Sequence, residues 1–303
     1  MASHDCTWYR YLYPGVTLYS AFLIISTPAF IMCRIRRERF RQNRLGDSDM
    51  SLIPTSWQWE RDAAGFYKDH HNVFVFCAAM YYPTIFGIKA LMKHREPFDL
   101  GGGGSKAPVN YIFWWEVGLA VFSLVGAYHI VPVTLEPLLS GKSYSEAICM
   151  PGVHDDPRSF WTFLFMVSKL FEFGDTIFVV LRKKPLILLQ HYHHLATMLY
   201  CWYGTLHVYP LNNTNTFFCA MNLCVHSVMY SWYAATRTGW KSPKVMMMGI
   251  TLLQLLQMVC GVFIIVTSVS SGSPLCGKWK MHDPVGLYAA FGMCATPDRK
   301  SVV

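Results

Sequence analysis

Runs of about twenty apolar residues, broken by short polar clusters, set the pattern of this chain. A run of that length makes a helix able to cross a hydrocarbon core about 30 Å thick. Six runs are clear, at about 72–92, 111–131, 161–181, 186–206, 216–236 and 245–268. A weaker apolar stretch lies at 17–33. A last tract, Val285 to Thr296, is only twelve residues long, and at about 1.5 Å per residue it spans about 18 Å. Gly286, Gly292 and the pair Thr296-Pro297 weaken a helix there further. The pattern therefore predicts an all-α, polytopic membrane bundle with an N-terminal extension (1–71), a membrane domain (72–284) and a short tail (285–303). Gly101 to Gly104, followed by Ser105, read as a flexible linker between the first two spans. The chain shows no internal repeat.

The polar clusters orient the spans. Lys89, Lys93 and Arg95 close the first; Arg182, Lys183 and Lys184 separate the third from the fourth; Arg237, Lys241 and Lys244 separate the fifth from the sixth. Positive residues mark the cytosolic side, so the loops at 132–159, 207–215 and 269–284 face the lumen. The first of these carries Glu136, Glu146, Asp155 and Asp156 against Lys142 and Arg158. Arg34, Arg36, Arg37, Arg39, Arg41 and Arg44 follow the 17–33 stretch and also belong on the cytosolic side. That placement conflicts with the entry side of 72–92, so 17–33 is expected to be amphipathic or re-entrant and not to span. With six spans behind it, the tail is expected on the lumenal side.

Composition agrees with lipid as the solvent. Of 303 residues, 53% are hydrophobic and 15% charged, against about 25% charged in a soluble domain. The net charge of +8 is gathered beside the apolar runs, which argues for membrane topology and against nucleic-acid binding. No cleaved signal peptide is evident, because the N-terminal Arg cluster follows its apolar stretch.

Charge and polarity inside the spans then need an explanation, because ionisable groups in a bilayer are costly and face a cavity or one another. Lys169, Glu172 and Asp175 recur at intervals of three and share one stripe of a helix. They make either a structural ion pair or the wall of a buried site. Gln190-His191-Tyr192-His193-His194 opens the next span. Gln190 shares a face with His193 and His194, while His191 points largely elsewhere. Asn222, His226 and Tyr230 lie at intervals of four on the fifth span, and the sixth adds Gln254 and Gln257. Turned inward, these stripes line one tunnel, with its polar end nearer the cytosol and its apolar end deeper. That shape suits a ligand with a charged head and a hydrocarbon tail.

The segments Lys169-Leu-Phe-Glu172-Phe-Gly-Asp175-Thr176, His193-His194, Asn222-Leu-Cys-Val-His226-Ser-Val-Met-Tyr230-Ser-Trp-Tyr233 and Thr251-Leu-Leu-Gln254-Leu-Leu-Gln257-Met258 resemble, in order and spacing, the motifs of the fatty acid elongase family. The likeness runs from about 72 to about 280 and looks closest to the branch acting on saturated and monounsaturated chains of palmitate size. It implies a seven-helix, multi-pass enzyme of the endoplasmic reticulum, a 3-oxoacyl-CoA synthase that condenses malonyl-CoA with a fatty acyl-CoA and releases carbon dioxide and CoA. It implies an acyl-imidazole intermediate on His193, with His194, His226 and Asn222 as candidate donors to the enolate. Gln190, Lys169, Glu172, Asp175, Tyr230, Gln254 and Gln257 are expected in support. No bound cofactor or metal is implied; the partners are the two CoA substrates, membrane lipid, and the reductases and dehydratase of the elongation cycle.

The sequence departs from the family at two places. Gln190 stands where the family's box usually begins with His; an amide both donates and accepts hydrogen bonds and suits an orienting role. The last helix is shortened, which is expected to leave a gap in the tunnel wall and to lower activity. Lys183 and Lys184 are either topology signals or holders of the CoA phosphates. Most of the ten cysteines fall in apolar spans and read as small core residues. Cys149 and Cys276 fall in lumenal loops, where thiols oxidise, and the resemblance implies that these loops are bridged. Asn212-Asn213-Thr214 is an N-glycosylation sequon on the same side.

Two other classes fit parts of the pattern. A membrane di-iron desaturase or hydroxylase also clusters histidines, but needs several such boxes, and only His70-His71 offers a second. A multi-span lipid receptor or transporter accounts for the helices but not for the His193-His194 segment and its companions.

Overall fold

The computed structural model describes residues 59–101, 110–150, 159–207 and 213–270. The segments 17–33 and 285–303, the sequon at Asn212 and Cys276 lie outside them. A π-helical turn at Trp59–Ala64 leads into α1 (Gly65–Asp69) and α2 (His71–Leu91), which ends in a 3₁₀ turn at Met92–His94. Then follow α3 (Tyr111–Leu139), α4 (Tyr144–Cys149), α5 (Ser159–Phe171), α6 (Phe173–Leu181), α7 (Leu188–His207), α8 (Asn213–Arg237) and α9 (Lys244–Ser270). Helix is the only regular structure among the described residues, as expected where lipid offers the backbone no hydrogen bonds.

Three helical stretches among the described residues are long and apolar enough to cross a membrane: His71–His94, Tyr111–Leu139 and Lys244–Ser268. The run expected as one span at 161–181 is two helices that meet at Glu172, each too short alone. Helices α7 and α8 are long enough but carry the histidines, asparagines and tyrosines of the interior.

Helices α3 and α8 form the most extensive pair. They approach closely because Gly126 has no side chain: a Cβ there would stand 3.0 Å from a methyl of Leu223. The prolines Pro132 and Pro137 sit in the second half of α3, where neighbouring elements hold the helix in place. Helix α9 packs on α8 and α4.

The ends of the bundle are tied by loop contacts that sort as the charge pattern predicts. At one end Phe98 N–H donates to the Leu181 carbonyl at 3.0 Å, and the Asn110 amide reaches the Arg237 carbonyl. Arg237 also grips Glu116, with Nη2 to Oε1 at 2.7 Å and Nε shared between both oxygens at 3.1 Å. The three basic loops thus lie together. At the opposite end Asn213 binds the 147–150 segment through its N–H (2.8 Å to the Met150 carbonyl) and its side-chain amide (2.8 Å to the Ala147 carbonyl). Cys149 is buried there and disulfide-bonded. Cys77, Cys219, Cys224 and Cys260 are free thiols.

The outside of the bundle is apolar. Val73, Phe76, Met80 and Phe86 on α2, Trp114 and Val121 on α3, and Val245, Met248, Leu252, Val259 and Phe263 on α9 are exposed. Polar and charged side chains, among them Lys169, Glu172, His194, Asn222 and His226, are buried. This inversion of the usual soluble arrangement is that of a bundle dissolved in lipid.

Candidate active site

The carboxylate of Glu172 is the centre of the polar interior. It stands at the junction of α5 and α6 and is 3% exposed. Lys169, one turn earlier on α5, places Nζ 2.5 Å from Oε1. The same ammonium donates to Asn222 Oδ1 on α8 at 2.8 Å and lies 4.2 Å from the centre of the Phe165 ring. From α7, His194 Nδ1 stands 3.7 Å from Oε2; from α8, His226 Nδ1 stands 3.6 Å from Oε1. Asn222 Nδ2 and His226 Nε2 are 3.2 Å apart. A buried charge needs a partner and several hydrogen bonds; here Lys169 supplies both to Oε1, the two imidazoles stand just beyond hydrogen-bond reach, Oε2 and His194 Nδ1 have no hydrogen-bond partner, and an amide links the lysine to His226.

Asp175 forms a separate cluster. Its Oδ1 accepts from Trp115 Nε1 and its Oδ2 from the Tyr230 hydroxyl, each at 2.6 Å. Tyr230 in turn stands edge-on to His226, with ring centres 5.2 Å apart. The turn at Glu172 separates the carboxylates: one faces the histidines, the other joins α6 to α3 and α8. Gly174 permits the contact, because a Cβ there would lie 2.7 Å from the Trp115 ring.

Beside Lys169 and Asn222 opens a cavity of about 50 Å³, lined also by His193, Thr197, Tyr200, Asn215 and Gln257 and by apolar side chains of α5, α8 and α9. That volume holds a few water-sized groups. His193 Nδ1 is buried without a hydrogen-bond partner, which leaves this imidazole nitrogen unengaged.

Several expected site residues take other places. Gln190 is half-buried and does not line the cavity, because it lies a turn before His193 and His194, outside the bundle's polar centre. His191, expected to point largely elsewhere, packs edge-on against Tyr82 of α2 at 5.6 Å. Gln254 donates to the Met229 sulfur at 2.8 Å, while Gln257, nearly one turn on, reaches the cavity. Lys183 and Lys184 line a hollow with Lys89 and Lys93 that shares no residue with the cavity. The second histidine pair is dispersed: His70 stacks on Phe66 at 4.3 Å and His71 meets Trp202 at 5.1 Å. Among the described residues no group of three or more His, Cys, Asp or Glu is arranged to hold a metal ion.

Sequence reasoning did not single out Thr197, Tyr200, Asn215, Trp115, Glu116 or Arg237 as interior contacts. Thr197 had a signal, four residues beyond His193 on the same face. The others are ordinary helix residues whose partners lie far away in the chain.

A model of the ELO (GNS1/SUR4) family matches residues 66–295. Very long chain fatty acid elongase 6 of Drosophila melanogaster is 39% identical over 191 residues, which are 62% of this chain and 56% of that protein. The chain thus spans a little over half the length of this relative. Very long chain fatty acid elongase 4 of Trypanosoma cruzi is 33% identical over 231 residues, 72% of this chain and 76% of that protein. Very long chain fatty acid elongase 6 of Mus musculus is 34% identical over 233 residues, 77% and 80% of the two chains. No solved structure matches the chain.

Proposed function

The chain belongs to the ELO family, and from that premise we propose that it elongates fatty acids by condensing malonyl-CoA with a long-chain acyl-CoA. The products are a 3-oxoacyl-CoA, carbon dioxide and CoA. The observation that carries this reading is the cavity where His193 meets Lys169 and Asn222, beside a carboxylate that two further imidazoles face.

In the first half-reaction a neutral nitrogen of His193 attacks the thioester carbonyl. The C–S bond breaks, the thiolate leaves as CoA with the imidazole proton, and the acyl group remains on nitrogen. In the second, the bond between C2 and the carboxylate of malonyl-CoA breaks, carbon dioxide leaves and the electron pair stays as an enolate. The enolate carbon attacks the acyl carbonyl, the C–N bond breaks, and the departing imidazole nitrogen takes up one proton from solvent, which restores neutral His193. Negative charge develops on oxygen in both halves and calls for fixed donors. Lys169 lines the cavity and is held by Glu172 and Asn222. Its ammonium has three protons, so it serves as a donor at that oxygen together with Asn222. His226 and His194, turned to Glu172, move protons at its edge. The acyl tail runs from His193 along α7 toward the lumenal end, displacing the flexible side chains that narrow the cavity.

The cellular setting follows from the same reading: an endoplasmic reticulum membrane, the reductases and dehydratase of the cycle as neighbours, and Cys149 bridged to Cys276. The test is mass spectrometry of purified protein after acyl-CoA alone, with turnover of labelled malonyl-CoA in parallel. We expect an acyl adduct on His193 and loss of product in His193→Ala. An adduct confined to a cysteine, or turnover by His193→Ala at the wild-type rate, overturns the mechanism.

A further inference from the structure

Past His193 the cavity carries a second polar patch that condensation does not use. Thr197, Tyr200 and Asn215 line it. Asn215 is 5% exposed; its Oδ1 accepts from the Tyr200 hydroxyl at 2.7 Å, and its buried Nδ2 has no partner. Turning the amide over exchanges the two ends and still leaves one unengaged. The Thr197 hydroxyl donates to the carbonyls of His193 and His194 at 2.7 and 3.2 Å, so its oxygen remains able to accept. Buried amide donors are rarely left unpaired, and one facing a cavity signals something that completes it.

We propose that this patch is a subsite for a hydroxyl group carried in the middle of the acyl chain. The inference rests on the reading of the cavity as the acyl seat. A hydroxyl both donates and accepts, so it takes the Asn215 N–H and gives its proton to the Tyr200 oxygen, whose own proton is engaged by Asn215 Oδ1. A keto or ether oxygen would satisfy Asn215 alone, and plain hydrocarbon would satisfy neither. Position follows from helix geometry: Tyr200 lies seven residues beyond His193, two turns or about 10 Å, which is the length of about eight methylene groups. The subsite therefore reads a hydroxyl near carbons 8 to 10.

The experiment compares 10-hydroxyoctadecanoyl-CoA with octadecanoyl-CoA on the purified full chain, with 17-hydroxyoctadecanoyl-CoA as the positional control. We expect kcat/KM to favour the 10-hydroxy chain over the plain one by about fivefold, the worth of one neutral hydrogen bond, and the 17-hydroxy chain to gain nothing. Asn215→Leu should abolish that ratio. Equal rates for the 10-hydroxy and plain chains in the wild type, or an unchanged ratio in Asn215→Leu, overturn the subsite. Thermal stabilisation by thioether analogues of the two chains gives a readout independent of turnover: the hydroxylated analogue should raise Tm more, and equal shifts reject the proposal. If octadecanoyl-CoA and palmitoyl-CoA bind but neither is extended, it is the condensation reading that fails, and the analogue comparison still decides the subsite.

Discussion

Lys169 and Glu172 illustrate how a charge survives inside an apolar bundle. Each is nearly sealed from solvent, and each is held by the other and by side chains of α8. Removing one partner of such a pair leaves an uncompensated charge and costs about 3–5 kcal/mol, while replacing both by apolar groups is far milder. Lys169→Met is thus expected to lower the Tm of the detergent-solubilised protein sharply, and Lys169→Met with Glu172→Met to recover much of the loss, with both inactive. Equal Tm for wild type and the single variant would show that Glu172 does not depend on this lysine. The pair was legible in the sequence because three-residue spacing puts both on one helix face, and four-residue spacing did the same for Asn222 and His226. Trp115 with Asp175, Glu116 with Arg237, and Tyr200 with Asn215 were not legible. Periodicity tells which residues share a face, but not how far each helix is rotated against the next, and every one of these contacts depends on that rotation.

At the scale of elements, the junction at Glu172 divides what reads as one span. The division sends two carboxylates three residues apart to different neighbours, and the close fit of Gly174 on Trp115 fixes α6 against α3. Gly174→Ala is expected to push Trp115 off Asp175 and cost about 1–3 kcal/mol, in the range of overpacking a tight contact. The fall should appear as lower Tm and as a shift in the indole emission of Trp115; an unaltered spectrum would mean that the ring adapts without moving. At the end of the bundle opposite the basic loops, α4 has a reciprocal cap: Ser143 Oγ accepts from the Glu146 N–H at 3.3 Å, and the Glu146 carboxylate accepts from the Ser143 N–H at 2.9 Å and from its hydroxyl at 2.7 Å. These bonds hold the Glu146 carboxyl below its ordinary pKa. A depressed carboxylate contributes stability that is present above its unfolded pKa and lost as pH falls through the folded one. The cap of α4 should therefore loosen on acidification below the usual Glu range. Ser143→Ala should raise the Glu146 midpoint in a carboxyl NMR titration, and an unmoved midpoint would remove the cap as the cause.

Over the whole molecule, apolar side chains face outward and the charged groups gather at the centre and the two ends. Helix α9 shows the outer surface most plainly. Val259 is 64% exposed and lies near the helix middle. Val259→Arg is expected to cost about 2.5–3.5 kcal/mol in insertion, read as a lower fraction of the helix integrated in a microsomal insertion assay. Efficient integration would place this face against protein or water instead of lipid. The class of the fold was legible because run length and charge between runs are one-dimensional signals. The number of crossings is less so, since α7 and α8 hide their interior polarity within spans that the hydropathy measure passes over.

Helix α9 has one more property. Gln257, Met258 and Gly261 line the cavity, while Val259 and Phe263 face outward. The cavity and the bilayer are therefore neighbours across a single partition, about 10 Å thick. For a molecule with a hydrocarbon tail, the shortest way out is sideways into the leaflet, not back along the length of the bundle. A tail that leaves between α9 and its neighbour passes from one oily phase to another and never meets water, so the threshold it crosses is the packing of side chains along one helix. On the proposed reading the polar head stays at the basic end of the bundle, where Lys89, Lys93, Lys183 and Lys184 share a hollow, and a chain held there by its head while its tail swings through the wall would enter and leave like a door on a hinge.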